Sequence, residues 1–211
     1  MSLEPILEPI MDEIESDDEI REKALPLSRK AVRTCSQSIK ASHRGDFEKA
    51  YSLIQEAHEI IVKGEEIMVE SDFVSKSNIM RQAYQELAEA ANVLSLLKDG
   101  IYTPPEKYDI ELRSYLTGLG DTVGELRRAI LDSLREDKVD YAENLLGFME
   151  EILEELNSFD FPNALIPNLR RKCDVARSLI EKTRGDITSA VRQKMIVDEL
   201  ADFREWMGNE K

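Results

Sequence analysis

The apolar residues of this chain recur every three to four positions from one end to the other, which is the period of an α-helix. No useful length alternates apolar and polar residues as a strand does. Nine glycines and seven prolines in 211 residues leave few places where helices end. The clearest are Gly45–Asp46, a helix end followed by a cap, and two connections, Gly100–Lys107 and Phe159–Pro167. The sequence therefore predicts an all-α bundle in a single domain, 1–211.

About seven helices are predicted. The first 15 residues form an amphipathic helix that Pro5 and Pro9 interrupt, and the others cover 19–43, 47–70, 77–98, 109–135, 138–157 and 168–206. Pro26 predicts a kink or a later start of the second helix, and Gly185–Asp186 predicts a break or a bend in the last. Four apolar residues near the end of the chain are not accounted for by the core of the predicted bundle: Ile196, Leu200, Phe203 and Trp206. They favour a homo-oligomer in which the segment 186–211 contacts another subunit.

Secretion and membrane insertion are not expected. No apolar run approaches the 18–20 residues of a spanning helix, and the chain begins with acidic rather than basic residues. Cys35 and Cys173 lie far apart and resemble neither a metal knuckle nor a disulfide framework. We expect a cytoplasmic protein with no membrane partner.

The charge is segregated along the chain. The net charge of −15 argues against a nucleic-acid ligand when taken alone. The acidic segment 1–16 is followed, however, by residues 21–44, which hold seven bases and one acid. A surface of this kind can be acidic outside and basic in one concave place.

One row of bases falls on a single helix face. It consists of Arg29, Arg33, Lys40 and Arg44, at intervals of four, seven and four residues. We predict that this row binds RNA phosphates, because each such contact releases counterions. The alternative is a solvated face that lies against the acidic amino-terminal segment. A second basic group, at 170–184, is expected either to bind RNA or to pair with the acidic helix 138–157.

Two carboxylate pairs stand out. Glu86 and Glu89 are three residues apart, and Asp121 and Glu125 are four apart, so each pair shares a helix face. Gly118, Gly120 and Gly124 surround the second pair, at a cost of about 1 kcal/mol each relative to alanine, which suggests close packing or binding there. Four carboxylates from adjacent helices could hold one or two hard cations such as Mg²⁺ or Mn²⁺. The alternative is chance spacing in an acidic helical protein.

The sequence lacks the common motifs of nucleotide binding, serine hydrolysis and other metal sites. It contains no P-loop, GxGxxG, GxSxG or HExxH motif. His43 and His58 have no cysteine or histidine at ligand spacing, so they are interpreted as ordinary surface or helix-end residues. No Glu-x-x-His pair supports a ferritin-like di-iron site.

Four segments together resemble the translin superfamily, and within it the archaeal, trax-like members. They read LSRKAVRTCSQSIKASHRGD, YQELAEAANVL, YLTGLGDTVGELRR and LRRKCDVARSLIEKTRGDITSAV. The third is the most specific, since it is similar to the family's Tyr-Leu-x-Gly-x-x-Asp-x-x-Gly-Glu-Leu signature. The resemblance covers residues 17 to 195. One departure is that the histidine-rich basic stretch of animal translin is missing, since 77–85 reads SNIMRQAYQ.

The resemblance implies an all-α subunit in a hollow, octameric oligomer that encloses nucleic acid. Translin proper mainly binds single-stranded RNA and DNA, whereas trax subunits carry a magnesium-dependent endoribonuclease site. By this resemblance Glu86 and Glu89 match the family's Glu-x-x-Glu, and Asp121 and Glu125 match its Asp-x-x-x-Glu. These four residues are therefore the expected catalytic and metal-binding side chains.

Three functions remain open from the sequence. The first is an endoribonuclease, dependent on Mg²⁺ or Mn²⁺, that cleaves single-stranded RNA inside a hollow homo-oligomer. The second is a non-catalytic, translin-like oligomer that binds single-stranded RNA or DNA. The third is a helical scaffold for other proteins.

Overall fold

The structure is a computed structural model that describes residues 3–209. All regular secondary structure in this range is helical. In that range the chain forms seven α-helices, one 3₁₀ turn (Pro105–Tyr108) and no strand. The helices are α1 (Glu4–His43), α2 (Phe47–Met68), α3 (Asp72–Ser75), α4 (Arg81–Asp99), α5 (Leu112–Arg135), α6 (Val139–Asn157) and α7 (Leu169–Asn209). The predicted all-α class is confirmed. Residues 1, 2, 210 and 211, which belong to the predicted segments 1–16 and 186–211, lie outside the described residues.

The chain forms two compact units, Met1–Leu119 and Gly120–Lys211, and the division falls within α5. In the first unit α1, α2 and α4 pack around a core rich in alanine, whose small side chains let helices approach closely: Ala31, Cys35, Ile54, Ala57, Ile61, Leu87, Ala88 and Ala91. In the second unit α6 packs on α7, and the buried apolar residues include Leu145, Met149, Ile152, Ala176 and Ile180. The single-domain interpretation of the sequence stays a prediction.

The first helix differs from the sequence-based expectation. α1 is one helix of 40 residues that continues through Pro9 and Pro26, so the predicted separate amino-terminal helix and the later start are wrong. Pro5 stands in the first turn, where its missing N–H would have had no helical partner. Pro26 and Glu22, whose carbonyl it leaves without a helical donor, are both exposed, so water can satisfy that carbonyl.

Two further differences concern the segmentation. α7 runs without interruption through Gly185–Asp186, so the predicted break is not observed there. The one-turn helix α3, which begins where the Ser71 hydroxyl accepts a hydrogen bond from the Val74 N–H, has no counterpart in the prediction. The number of helices matches the expected seven only because α1 joins two predicted segments while α3 adds one.

The predicted break after α1 is confirmed in detail. Gly45 adopts a φ of 73°, a left-handed conformation that favours glycine. The Asp46 side chain then accepts a hydrogen bond of 3.4 Å from the Lys49 N–H and caps α2.

A buried polar network fixes the connection between α4 and α5. The Asn92 side chain accepts a hydrogen bond from the Thr103 N–H and donates one to the Ala88 carbonyl. The Tyr115 hydroxyl, on α5, donates to the Thr103 carbonyl at 2.8 Å. These bonds tie the loop to both helices, and therefore set where α5 begins relative to α4.

Apolar side chains remain exposed at both ends of the described chain. At the amino-terminal end they are Leu3, which precedes α1, and Ile6, Leu7, Ile10, Met11 and Ile14 of α1; on α7 they are Met195, Ile196, Val197, Leu200, Phe203 and Trp206. Phe203 and Trp206 stack on each other. No helix within 3–209 is long and apolar enough to cross a membrane.

Two of the three α5 glycines are packed closely, as their cost in the helix suggested. A Cβ added at Gly118 would lie 2.6 Å from both the Gln85 carbonyl oxygen and the Ala88 Cβ on α4. A Cβ at Gly120 would lie 3.0 Å from the Cβ of Lys172. Gly124 is exposed with nothing within 4 Å of such an atom, so close packing does not explain this third glycine.

Replacement of two of these glycines by alanine should have opposite effects. We expect Gly118→Ala to lower the free energy of unfolding by about 1–3 kcal/mol, because the new methyl group meets backbone that must shift. Gly124→Ala should raise it by about 1 kcal/mol through helix propensity alone. Urea unfolding of the two variants measures both values, and equal effects would contradict the close contact at Gly118.

Glu65 gives the first unit a dependence on pH. Burial raises the pKa of Glu65, although a hydrogen bond from Tyr84 acts in the opposite direction. Burial, with the nearby Glu65 charge, raises the pKa of Tyr84 to about 12, so its hydroxyl remains a donor. The pKa of Glu65 in the folded protein lies above its pKa in the unfolded chain. The stability that protonated Glu65 contributes to the fold is therefore complete at pH values below the unfolded-state pKa. It is lost as the pH rises through the folded-state pKa.

We therefore expect Glu65→Gln to raise the melting temperature at pH 7 and to leave it unchanged near pH 4. Glutamine keeps an acceptor for the Tyr84 hydroxyl but does not ionise. Thermal unfolding at the two pH values tests this, with the exposed Glu66→Gln as control. A difference of the same size at both pH values would refute the assignment.

Candidate functional site

Glu86 and Glu89 lie on one side of α4, as predicted, in the first unit. Both are half-buried and flank the fully buried Leu87 and Ala88. Burial raises the pKa of the Cys35 thiol on α1, and the charges of both glutamates raise it further. Their spacing of three residues places the two carboxylates on the same side of the helix.

Asp121 and Glu125 form the second predicted pair, on α5 in the second unit. Their side chains are 31% and 27% exposed. The Asp121 Oδ1 accepts a hydrogen bond of 2.5 Å from the Lys172 Nζ on α7. The Glu125 carboxylate lies 3.7 Å from Arg128 Nη1, one turn further along α5. The structure thus adds a lysine to the predicted pair.

A nearby contact holds α5 and α7 together independently of these carboxylates. Arg127 donates a hydrogen bond of 2.6 Å to the buried Thr183 hydroxyl and forms a 2.8 Å ion pair with Asp186. Two side chains of α5, Asp121 and Arg127, are therefore each paired with α7 about two turns apart.

The donor set suits a hard cation by its chemistry. Carboxylate oxygens are the ligands that Mg²⁺ and Mn²⁺ prefer, and the thiol beside Glu86 and Glu89 stays protonated because its pKa is raised. Each unit supplies one pair. Within 3–209 no group of three or more His, Cys, Asp or Glu side chains is arranged to hold a metal ion. The assembly of all four carboxylates into one centre therefore stays a prediction.

The predicted row of RNA-binding bases is exposed along α1. Arg29, Arg33 and Lys40 project from the helix, and Arg44 directly follows it. In the described part of the chain none of the four forms an ion pair, whereas the neighbouring Lys30 lies 3.5 Å from Glu56. Because α1 is continuous, the acidic amino-terminal segment extends away along the same helix and does not fold back over the row. RNA binding by these residues stays a prediction.

The second basic group, at 170–184, is largely paired within its own unit. Arg184 forms a 2.8 Å ion pair with Glu150 of α6, which supports the predicted pairing with the acidic helix. Arg170 pairs with Asp160, and Arg177 pairs with Asp174. The sequence groups Lys172 with these bases, and no local pattern indicates that it reaches Asp121, 51 residues earlier.

Known proteins with similar sequences and structures cover most of the chain. The sequence model of the Translin family matches residues 8–184. An uncharacterized protein of Methanocaldococcus jannaschii is 30% identical over 193 residues, which cover 90% of this chain and 85% of that protein.

Solved structures agree with this match. The structure of an AfC3PO–duplex RNA complex has a TM-score of 0.82 and 31% sequence identity, covering 90% of this chain and 98% of that chain. The crystal structure of AfC3PO has a TM-score of 0.79 and 32% identity with the same coverage. Apo-NeC3PO, at 21% identity and a TM-score of 0.79, shares the fold. The chain therefore belongs to the translin family.

Proposed function

We propose that this chain is a cytoplasmic, metal-dependent endoribonuclease whose active site is formed by Glu86, Glu89, Asp121 and Glu125. The observation that carries the proposal is the contact of Gly118 with the α4 backbone at Gln85 and Glu89. Within the first unit it brings α5 at Gly118 against the turn of α4 that bears Glu86 and Glu89. Family membership supports the same four residues.

The four carboxylates would hold one or two Mg²⁺ or Mn²⁺ ions. Such an ion, when bound, lowers the pKa of a water molecule and offsets phosphate charge, which is the chemistry that phosphodiester hydrolysis needs. The chain's own residues supply the arrangement. The helical spacing directs each pair to one side of its helix, and the Lys172 ammonium holds one oxygen of Asp121.

RNA is the substrate class that we propose. Its support is the structure of the relative AfC3PO, which is a complex with duplex RNA. The exposed row on α1 would contact phosphates without reading the sequence. We propose single-stranded RNA as the cleaved form, and comparison of single-stranded with duplex substrates tests that choice.

A homo-oligomer completes the proposal. Many apolar side chains are exposed on α1 and α7, and surfaces of this kind mark interaction sites. We propose that they are buried in an interface with a second copy of the chain. The octameric state is the one that the family resemblance implies. Light scattering of the purified protein measures the mass.

The catalytic assignment is tested with three variants. We expect Glu89→Gln and Asp121→Asn to reduce Mn²⁺-dependent cleavage of a labelled RNA at least 100-fold while RNA binding persists. The matched control is Asp132→Asn, also on α5, whose exposed carboxylate is paired with Arg135. It should cleave as the unmodified protein does. Loss of RNA binding together with cleavage would make the two carboxylates structural.

The non-catalytic alternative has its own outcome in that assay. If the unmodified protein binds RNA and leaves it intact in both Mg²⁺ and Mn²⁺, the chain is an RNA-binding oligomer. If no oligonucleotide binds at low salt, the scaffold interpretation is favoured.

The basic row is tested by its salt dependence. Replacement of Arg33 and Lys40 by glutamine should weaken RNA binding. It should also reduce the slope of log K against the logarithm of the salt concentration by about 0.7 for each phosphate that the variant no longer neutralises. The control is Lys30→Gln, one residue away from the row and already paired with Glu56. Equal slopes for all the variants would show that this face does not bind RNA.

A further inference from the structure

The contact between Lys172 and Asp121 is unusual among the ion pairs of this chain. Its two side chains are 17% and 31% exposed, whereas most of the other pairs lie in solvent. The Nζ–Oδ1 distance of 2.5 Å makes it a direct, charge-assisted hydrogen bond. A positive charge is thus held in contact with one of the four carboxylates that we propose as metal ligands.

The stem of Lys172 is confined as well as its charge. It passes so close to Gly120 that a Cβ there would lie 3.0 Å from its Cβ, 3.3 Å from its Cδ and 3.7 Å from its Cγ. A glycine immediately before Asp121 therefore gives the lysine its path along α5. With its stem packed in this way, the ammonium group stays beside Asp121 instead of sampling many rotamers in water.

We propose that Lys172 is a positioning residue that orients the Asp121 carboxylate before a divalent cation binds and then competes with that cation for it. This inference rests on the proposed function, since it takes Asp121 as a metal ligand. It adds a residue from α7 to the site and gives it a definite effect, which is to weaken the affinity for the metal while holding the ligand in place.

The direction of the effect follows from electrostatics. An ammonium charge within a few ångströms of a bound divalent cation repels it, and a partly buried environment screens this repulsion less than bulk water does. Removal of the charge should therefore tighten metal binding, by about tenfold or more. The same removal leaves Asp121 without its ammonium partner in the absence of metal, so the metal-free variant should be less stable.

The experiment is thermal unfolding of the full chain over a range of Mn²⁺ concentrations, with and without EDTA. Lys172→Met keeps the length of the apolar stem and removes the charge, and Lys172→Gln serves as a second variant if the first does not fold. In EDTA both should melt several degrees below the unmodified protein. With Mn²⁺ this deficit should close, and the Mn²⁺ concentration for half-maximal stabilisation should fall about tenfold.

Two controls separate this role from a structural one. Arg127→Met breaks another half-buried ion pair between α5 and α7, so its deficit should be the same with and without Mn²⁺. Lys172→Arg keeps the charge and should restore the original Mn²⁺ dependence at least in part. If Lys172→Met behaves like Arg127→Met, Lys172 only ties two helices together and the proposal is overturned.

Failure of the proposed function gives a different result. If Asp121→Asn leaves the Mn²⁺-induced stabilisation unchanged, Asp121 is not a metal ligand and the proposed site is wrong. If Asp121→Asn abolishes that stabilisation while Lys172→Met leaves the half-maximal concentration unchanged, the site stands and only the role of Lys172 fails.

Discussion

The close approach of α5 to α4 at Gly118 is the constraint that fixes, within the first unit, the turn of α4 that bears Glu86 and Glu89. At this residue the two backbones come so near that not even a methyl group fits between them. The contact is supported from the loop side, where Asn92, Thr103 and Tyr115 bond α4, the connection and α5 to one another. A buried polar network of this kind specifies one arrangement, because each displaced member would leave a buried group without its partner. The part of α5 that ends at Gly118 is thereby placed against the turn of α4 that carries Glu86 and Glu89.

The acidic and basic residues of the chain are concentrated in different segments. The acidic residues of the amino-terminal segment lie on the same continuous helix as Arg29, Arg33 and Lys40, so the two groups of charges are separated along its length. The second basic group is instead neutralised locally by acids of α6, α7 and the loop before α7. A net charge of −15 is therefore compatible with one exposed face that attracts phosphates. The total charge of the chain says less about its ligands than the distribution does.

The sequence predicts much of this fold because helical periodicity and helix-end signals are local. Gly45 and Asp46 mark a helix end and a cap in adjacent residues, and the apolar period predicts a helix in each of the regions that form α2, α4, α5 and α6. The prediction for α1 is wrong because Pro9 and Pro26 do not interrupt the helix. The cost of a proline depends on whether the freed carbonyl reaches water, and exposure is a property of the fold rather than of the sequence. The one-turn helix α3 is too short to show a period.

The same distinction applies to the site. Spacing alone placed Glu86 with Glu89 and Asp121 with Glu125, since a helix face follows from sequence intervals. The cost of glycine in a helix indicated close packing or binding, and close packing is observed at Gly118 and Gly120 but does not explain Gly124, which is exposed. The pairing of Lys172 with Asp121 joins residues from different helices, and the proximity of Cys35 to both glutamates likewise depends on packing. Neither relation has a local sequence pattern from which it could be predicted.

The central claim is that four carboxylates of one subunit form a single metal centre. Its most direct test is a crystal structure of the protein with Mn²⁺, in which anomalous scattering locates each ion. We predict Mn²⁺ coordinated directly by carboxylate oxygens of both pairs, with Glu86 or Glu89 and Asp121 or Glu125 in the same coordination shell. Ions bound to one pair alone, or elsewhere on the chain, would contradict this claim.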